Sequence, residues 1–271
     1  MNCLGSSPNS GRMPARCAGF TLLELLAVVV IVAVLASLLS TALNQAKGRA
    51  QQIGCLNNLR QLGQAWILYA DENEDELPLN HSVASANEKL FGRRNTPDSW
   101  VAGNPKEDTS TENIETAALF PYVKSTSMYR CPGDTEKVLV KRSMRRTRSY
   151  SMSAYLSGDE TGLDARVKTK LAEVQIQPAA RVFVFIEEDL TSPWLGSFVV
   201  LPRDGITLDS VSFTSVPGSW HNSGSDLSFA DGHVEYWRWF SKRKIGKAGS
   251  PSLTKHGIQD LRRLQEAIPK P

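Results

Sequence analysis

His221, Asp231 and His233 are the residues whose types most directly suggest chemistry. Two imidazoles and a carboxylate make a sufficient donor set for Zn²⁺ if a hairpin brings them together. A structural job competes for the same residues. Ala230-Asp231-Gly232-His233 lies between two strand patterns, and Asp231 with Gly232 suits a type I′ turn. His221, ahead of Asn222-Ser223-Gly224, suits a loop cap. The turn is the plainer account, so the expectation is no bound metal, with this trio as the fallback ligand set. Glu187-Glu188-Asp189 could supply an acid and a base for glycoside cleavage, but adjacency in sequence does not give the separation that chemistry requires. The end of a hairpin explains it more simply. Asp71-Glu72-Asn73-Glu74-Asp75-Glu76 is rich in oxygen ligands for Ca²⁺ yet has no turn glycine and no EF-hand spacing, and reads as a solvated acidic turn. No Ser-His-Asp order, nucleophile elbow, phosphate loop or dinucleotide fingerprint is present. The expectation is therefore a protein that is not an enzyme, with no catalytic residues and no cofactor.

Two further features are chemical in a different sense. Cys55 and Cys131 can pair as one disulfide if the body of the chain is exported, or remain two buried thiols if it is not. Closing that loop is worth roughly 4 kcal/mol in the chain-entropy account. Glu24 is a lone carboxylate at the head of an apolar run, where it costs a few kcal/mol unless paired. The simplest partner is a positive charge at the same depth, such as an α-amine freed by cleavage just ahead of the run.

The elements that must position these residues begin with that run. From Leu25 to Leu39 every residue except Ser37 is apolar, and with its flanks the segment covers residues 20–43. Twenty-four helical residues extend about 36 Å, enough to cross a bilayer once. A secretory signal would need a small-residue cleavage site after the run, whereas here a helical pattern continues without a polar break. Leu56, Leu59, Gly63, Trp66 and Tyr69 form one apolar stripe over residues 44–76, giving a single helix of about 75 Å with those before it. Residues 77–245 then form a head. Residues 79–115 read as a polar surface excursion, and Ile114 to Val123 as a short helix ending near Pro121. Strand patterns follow at residues 150–156, 182–186, 196–200, 227–229 and 234–237. Residues 246–271 form a short amphipathic tail. The whole is an α+β fold, a long helix packed against an antiparallel sheet.

Charge excludes little beyond nucleic acid. The formal net charge of 271 residues is +3, and clusters such as Arg145-Arg146-Arg148 and Lys242-Arg243-Lys244 read as solvated surface. Trp194, Trp220, Trp237 and Trp239 either pack the head core or form an aromatic surface for glycans or partner proteins.

Ala18-Gly19-Phe20-Thr21-Leu22-Leu23-Glu24-Leu25-Leu26 resembles the signal of type IV pilins and type II secretion pseudopilins. The resemblance implies that residues 1–19 are a leader removed after Gly19 by a membrane-embedded prepilin peptidase, that Phe20 becomes the methylated N-terminus, and that Glu24 serves assembly. The basic residue usually next to the Gly is missing, Arg16 standing three positions ahead of it. The sequence from Cys55 to Gly63 with Tyr69, then Cys131-Pro132, Ser149-Tyr150, and His221 separated by nine residues from Asp231-Gly232 are similar to a pilin-like family of Planctomycetes and Verrucomicrobia with a processing-associated H-X9-DG region, here residues 221–232. The implied partners are prepilin peptidase, sister subunits contacting through the N-terminal helix, and an inner-membrane assembly platform. The implied location is single-pass in the inner membrane, with the N-terminus cytoplasmic before processing and the head periplasmic, and with the filament or cell surface as a further destination. The alternative is a membrane-tethered module that binds envelope polysaccharide or protein through its aromatic head.

Overall fold

The computed structural model describes residues 21–158, 164–193, 195–203, 213–241 and 254–271. Gly19, Phe20, Trp194 and the basic run 242–244 lie outside the described residues. The chain divides into two compact units, residues 1–46 and residues 47–271.

Helix α1 covers Leu22–Glu72. In the first unit its apolar side chains face outward on all sides, with Leu25, Val29, Val32, Leu35 and Leu39 each more than half exposed. Its few hydroxyls are satisfied within the helix. Ser37, Ser40 and Thr41 donate to the carbonyls of Val34, Ala36 and Leu38 at 2.7 to 2.8 Å. A helix that pairs its own hydroxyls and exposes a long band of hydrocarbon on all sides is suited to lipid or to sister helices.

In the second unit, α1 buries Cys55, Leu59, Leu62, Ala65, Trp66 and Ala70. This stripe packs against one face of a five-stranded sheet. The strands are β3 (Tyr150–Ser153), β4 (Phe183–Glu187), β5 (Ser197–Phe198), β6 (Gly224–Phe229) and β7 (Val234–Arg238), in the order β5-β3-β4-β6-β7. All neighbours are antiparallel except β3 and β5, which run parallel, so the sheet is mixed at that edge. A two-stranded ribbon, β1 (Ser82–Ala84) with β2 (Arg93–Asn95), flanks the one-turn helix α2 (Glu88–Phe91). The opposite face of the main sheet carries Phe183, Ile186, Leu227, Phe229, Trp237 and Trp239, and it is closed by Leu261, Leu264 and Ile268 of the C-terminal segment. That segment forms α6 (Lys255–Glu266), whose N-cap Thr254 accepts from the Gly257 amide. The tail is thus part of the core.

A register shift lies between Phe183 and Phe185 of β4. It places Val184 and Phe185 together on the α1 side, after which alternation resumes with Ile186 on the α6 side. By the same alternation Glu187 faces α1, as do Asp226 and Ser228 on either side of Leu227 on β6. The bulge therefore decides that a carboxylate at the end of an apolar strand points toward the stem.

Several expectations need correction. Residues 79–115 are no surface excursion: Asn80, Ser99, Trp100 and Val101 are fully buried, and the Trp100 indole donates to the Gly196 carbonyl at 2.9 Å. The helix expected to end near Pro121 is two one-turn helices, α3 (Glu112–Glu115) and α4 (Phe120–Val123). Pro121 lies in the first turn of α4, where its missing N–H leaves no intrahelical bond unmade. The stem helix stops at Glu72 rather than residue 76, because Glu74 and Asp75 take positive φ and the Asp75 amide turns back to the Ala70 carbonyl. Asp75 then helps to cap a helix far along the chain, α5 (Leu171–Gln175), its carboxylate accepting from the Ala172 amide. Arg146 and Arg148 are buried rather than solvated. Arg146 pairs with Asp134 at 2.5 Å, and Arg148 donates to the carbonyls of Ala102 and Gly103. Burial pulls the Arg148 guanidinium down to about 10.

Candidate functional site

Two places in the chain combine chemistry-bearing side chains with a definite geometry. The first is the start of α1. Thr21 and Glu24 form a reciprocal cap. The Thr21 amide and hydroxyl donate to Glu24 Oε2 at 2.9 and 2.8 Å, and the Glu24 amide donates to Thr21 Oγ1 at 3.2 Å. This is the Thr-x-x-Glu capping box, and it also sets a negative charge at the positive end of the helix dipole. Glu24 therefore has a local task besides any role between subunits, and the Thr21 spacing was the sequence signal for it.

The second place is a buried knot where α1 meets the sheet. Cys55 on α1 and Cys131, just after the 3-10 turn Thr126–Tyr129, are joined by a disulfide with a Cα–Cα distance of 5.0 Å. Close approach here depends on the residue before Cys55: a Cβ at Gly54 would stand 3.2 Å from Pro132 Cγ. The Gly133 amide donates to Cys131 Sγ at 3.3 Å. His221 Nε2 sits 3.1 Å from each sulfur and 3.1 Å from Glu187 Oε1. Asp226 Oδ2 lies 3.7 Å from the same nitrogen. The backbone of Asp226 donates to Glu187 Oε2 at 3.1 Å, and Tyr236 donates to the His221 carbonyl at 2.7 Å. Cys55, Cys131, Glu187 and Asp226 have no solvent exposure and His221 has 5%.

Electrostatics in this knot follow from burial. Burial raises the Glu187 carboxyl, opposed by its hydrogen bond to His221. Burial and then the neighbouring Glu187 charge push Asp226 up to about 8. Neither oxygen of Asp226 meets a donor in good geometry, although the Gln52 amide moderates its charge. For His221, burial alone would favour the neutral ring, but Glu187 and Asp226 outweigh it and raise the imidazole above its ordinary value. The imidazole is thus drawn toward its charged form and the two carboxyls toward their neutral forms.

The trio read as a fallback metal set is not brought together. His221 precedes β6, while Asp231 and His233 lie past its other end, about 20 Å away along the six residues of the strand. His233 instead pairs locally with Asp231 at 2.5 Å and stacks on Phe229, ring centroids 4.4 Å apart. The turn is also not type I′, since only Gly232 has positive φ, at 87°. The Gly232 amide donates to the Phe229 carbonyl and the Phe229 amide to that of His233, which makes a type I turn followed by a glycine bulge. Nor is His221 a loop cap. Asp226 is the residue that sequence reasoning missed, and Glu187, read there only as the end of a hairpin, belongs to this knot instead. Their signal was an acidic residue ending an apolar strand and another between Ser225 and Leu227, each on a period-two face that should be apolar.

Trp237 and Trp239 are buried, with Arg263 stacked 3.8 Å over the Trp237 ring, and Arg146 lies 4.9 Å over Trp220. These indoles serve the core. The acidic segment 71–76 is mostly exposed, and among the described residues it brings together no metal-ligating cluster.

The family model of the prokaryotic N-terminal methylation motif matches residues 14–40. The chain carries a prepilin-type N-terminus. That match, with the long apolar helix and the sheet-bearing head, supports a type IV pilin-like protein whose first helix anchors it in a membrane. No curated protein and no solved structure matches the chain.

Proposed function

We propose that this chain is a structural subunit of a type II secretion pseudopilus or a type IV pilus-like filament, and not an enzyme. Prepilin peptidase cuts after Gly19, Phe20 is methylated, and subunits assemble through α1 from an inner-membrane platform. Before processing, the N-terminus is cytoplasmic and the head periplasmic. The observation that carries this reading is the methylation motif on residues 14–40 running without a break into a helix that exposes hydrocarbon on every side. An isolated span of that kind gains from packing against copies of itself, and Glu24 at its head can answer the new α-amine of a neighbour. The H-X9-DG resemblance supports a finer reading, that of a pilin-like family of Planctomycetes and Verrucomicrobia. A binding module built on exposed tryptophans is less well supported, because Trp237 and Trp239 are in the core.

The test is mass spectrometry of the chain purified from membranes after co-expression with a prepilin peptidase. The expected N-terminal peptide begins at N-methylated Phe20 and is absent when Gly19 is replaced by a bulky residue. An intact N-terminus, or cleavage after the apolar run, would overturn the proposal.

A further inference from the structure

The surroundings of the disulfide are unusual for a purely structural crosslink. A cystine needs only space and apolar contact. Here both sulfurs face an imidazole nitrogen and, through it, a carboxylate, all in the interior. One ligand atom from each of Cys55, Cys131, Glu187 and His221 lies within 4.8 Å of all the others. Two sulfurs, one imidazole nitrogen and one carboxylate oxygen are the donor types of a closed four-coordinate zinc site. We propose that the reduced chain holds one zinc-like divalent cation through Cys55, Cys131, His221 Nε2 and Glu187 Oε1, so that metal binding and the Cys55–Cys131 disulfide are alternative states of one site.

Geometry supports the exchange. With Zn–S about 2.3 Å and Zn–N about 2.0 Å, tetrahedral ligands stand roughly 3.3 to 3.8 Å apart. The three contacts of His221 Nε2, each 3.1 Å, lie a few tenths of an ångström inside that spacing. Only the two sulfurs must separate, and breaking the S–S bond frees them to do so. The supporting groups are already placed: the Gly133 N–H points at Cys131 Sγ, and the Asp226 N–H fixes the second oxygen of Glu187. The Asp226 carboxyl, buried and without a well-formed hydrogen bond, is directed at the same nitrogen and would lie beside the ion.

The chemistry balances with one named co-reactant. A dithiol reductant gives two electrons and two protons to the cystine, yielding two thiols and its own disulfide. Metal binding then releases the two thiol protons, and the proton on His221 Nε2 leaves as well, so that the nitrogen lone pair can bind the ion. A newly made chain needs no reductant, since its cysteines have not yet been oxidised. Oxidation by a two-electron disulfide donor returns the cystine and expels the ion.

The experiment uses the full chain in detergent with Cys3→Ser and Cys17→Ser, so that only this pair of thiols remains. Oxidised and dithiothreitol-reduced samples, freed of reductant under anaerobic conditions, are titrated with Co²⁺. The expected result is one equivalent bound by the reduced chain, with tetrahedral cobalt bands and thiolate-to-cobalt charge transfer, displaced by Zn²⁺ and absent from the oxidised chain. His221→Ala and Glu187→Gln should weaken binding by at least about 10-fold and alter the cobalt bands. Circular dichroism is recorded throughout. A reduced chain that unfolds and is refolded by metal supports the proposal. A reduced chain that binds no cobalt, folded or not, overturns it, as does a cobalt spectrum unchanged in both variants.

Discussion

Replacing Glu24 by Gln separates the two tasks that this residue can perform. As a cap, Glu24 needs only an acceptor oxygen, since Thr21 supplies the amide and hydroxyl that donate to it and accepts the Glu24 amide in return. A glutamine keeps that oxygen, and the capping box tolerates it. As a partner for the α-amine of a neighbouring subunit, Glu24 needs its charge. Two unit charges 4 Å apart at an effective dielectric near 20 attract by about 4 kcal/mol. If desolvation cancels half of this, about 2 kcal/mol is left, a factor of about 30 in association. Thr21→Val makes the opposite change. It removes the hydroxyl and costs about 1 kcal/mol of helix-end stability, in free and associated helices alike. The assay is energy transfer between donor- and acceptor-labelled processed chains in liposomes, titrated by protein-to-lipid ratio. Glu24→Gln should weaken association about 30-fold and Thr21→Val hardly at all. Wild-type association by the Glu24→Gln chain, or an equal loss in both variants, would refute the charge-pairing argument.

Arg146→Met should cost about 3 to 5 kcal/mol, because it strands the buried Asp134 carboxylate; adding Asp134→Asn should recover most of it, measured by urea denaturation followed through the head tryptophans. Burial raises Glu188 to about 7, so its protonated form belongs to the folded state. Its contribution is whole below the ordinary carboxylate pKa and is lost as pH rises through 7, a fall of about 2.5 kcal/mol between pH 5 and pH 8. Denaturation midpoints should show that slope in the native chain and a flatter one in Glu188→Gln; equal slopes would argue against the buried acid. Gly232→Ala should cost about 1 kcal/mol, since φ is +87° while the new Cβ would meet only Ile67 at 3.7 Å. Gly232→Asn should cost less, and thermal unfolding distinguishes the two.

The stem was legible because one physical pattern dominates it. An unbroken apolar run followed by a stripe through Leu59, Gly63 and Trp66 leaves few folds other than a long helix with one buried face. The five strands were legible for a similar reason, since each carries an aromatic residue in its apolar pattern: Tyr150, Phe183 with Phe185, Phe198, Phe229, and Tyr236 with Trp237. The buried knot was not. His221 and Glu187 are 34 residues apart, and their meeting depends on the β4 bulge, which nothing in Phe183-Val184-Phe185-Ile186 announces. Residues 79–115 misled for a different reason. Their polar side chains satisfy buried backbone, as Asn80 does by donating to the carbonyls of Met152 and Ser153, so polarity there marks internal pairing and not solvent.

The position of Cys55 gives the knot a mechanical meaning within the proposed function. A subunit held in a filament by its stem and loaded through its head would fail by peeling α1 off the sheet. Peeling starts where the helix enters the head and proceeds toward its C-terminal end. Cys55 is the first buried residue of α1, ahead of Leu59, Leu62 and Trp66. A noncovalent contact at that point would yield first and expose the next in turn, each residue meeting the load alone. A disulfide there instead prevents the first step, and the later contacts must be broken together. The same covalent bond placed near Ala70 would leave the entry free to open. Crosslink and hydrophobic stripe would thus share the load, and the order of residues along the helix would set how much of it the head can bear. In the reduced state, a cation bound by Cys55 and Cys131 would hold the same point by ligand bonds, so the site would clamp the stem in either form.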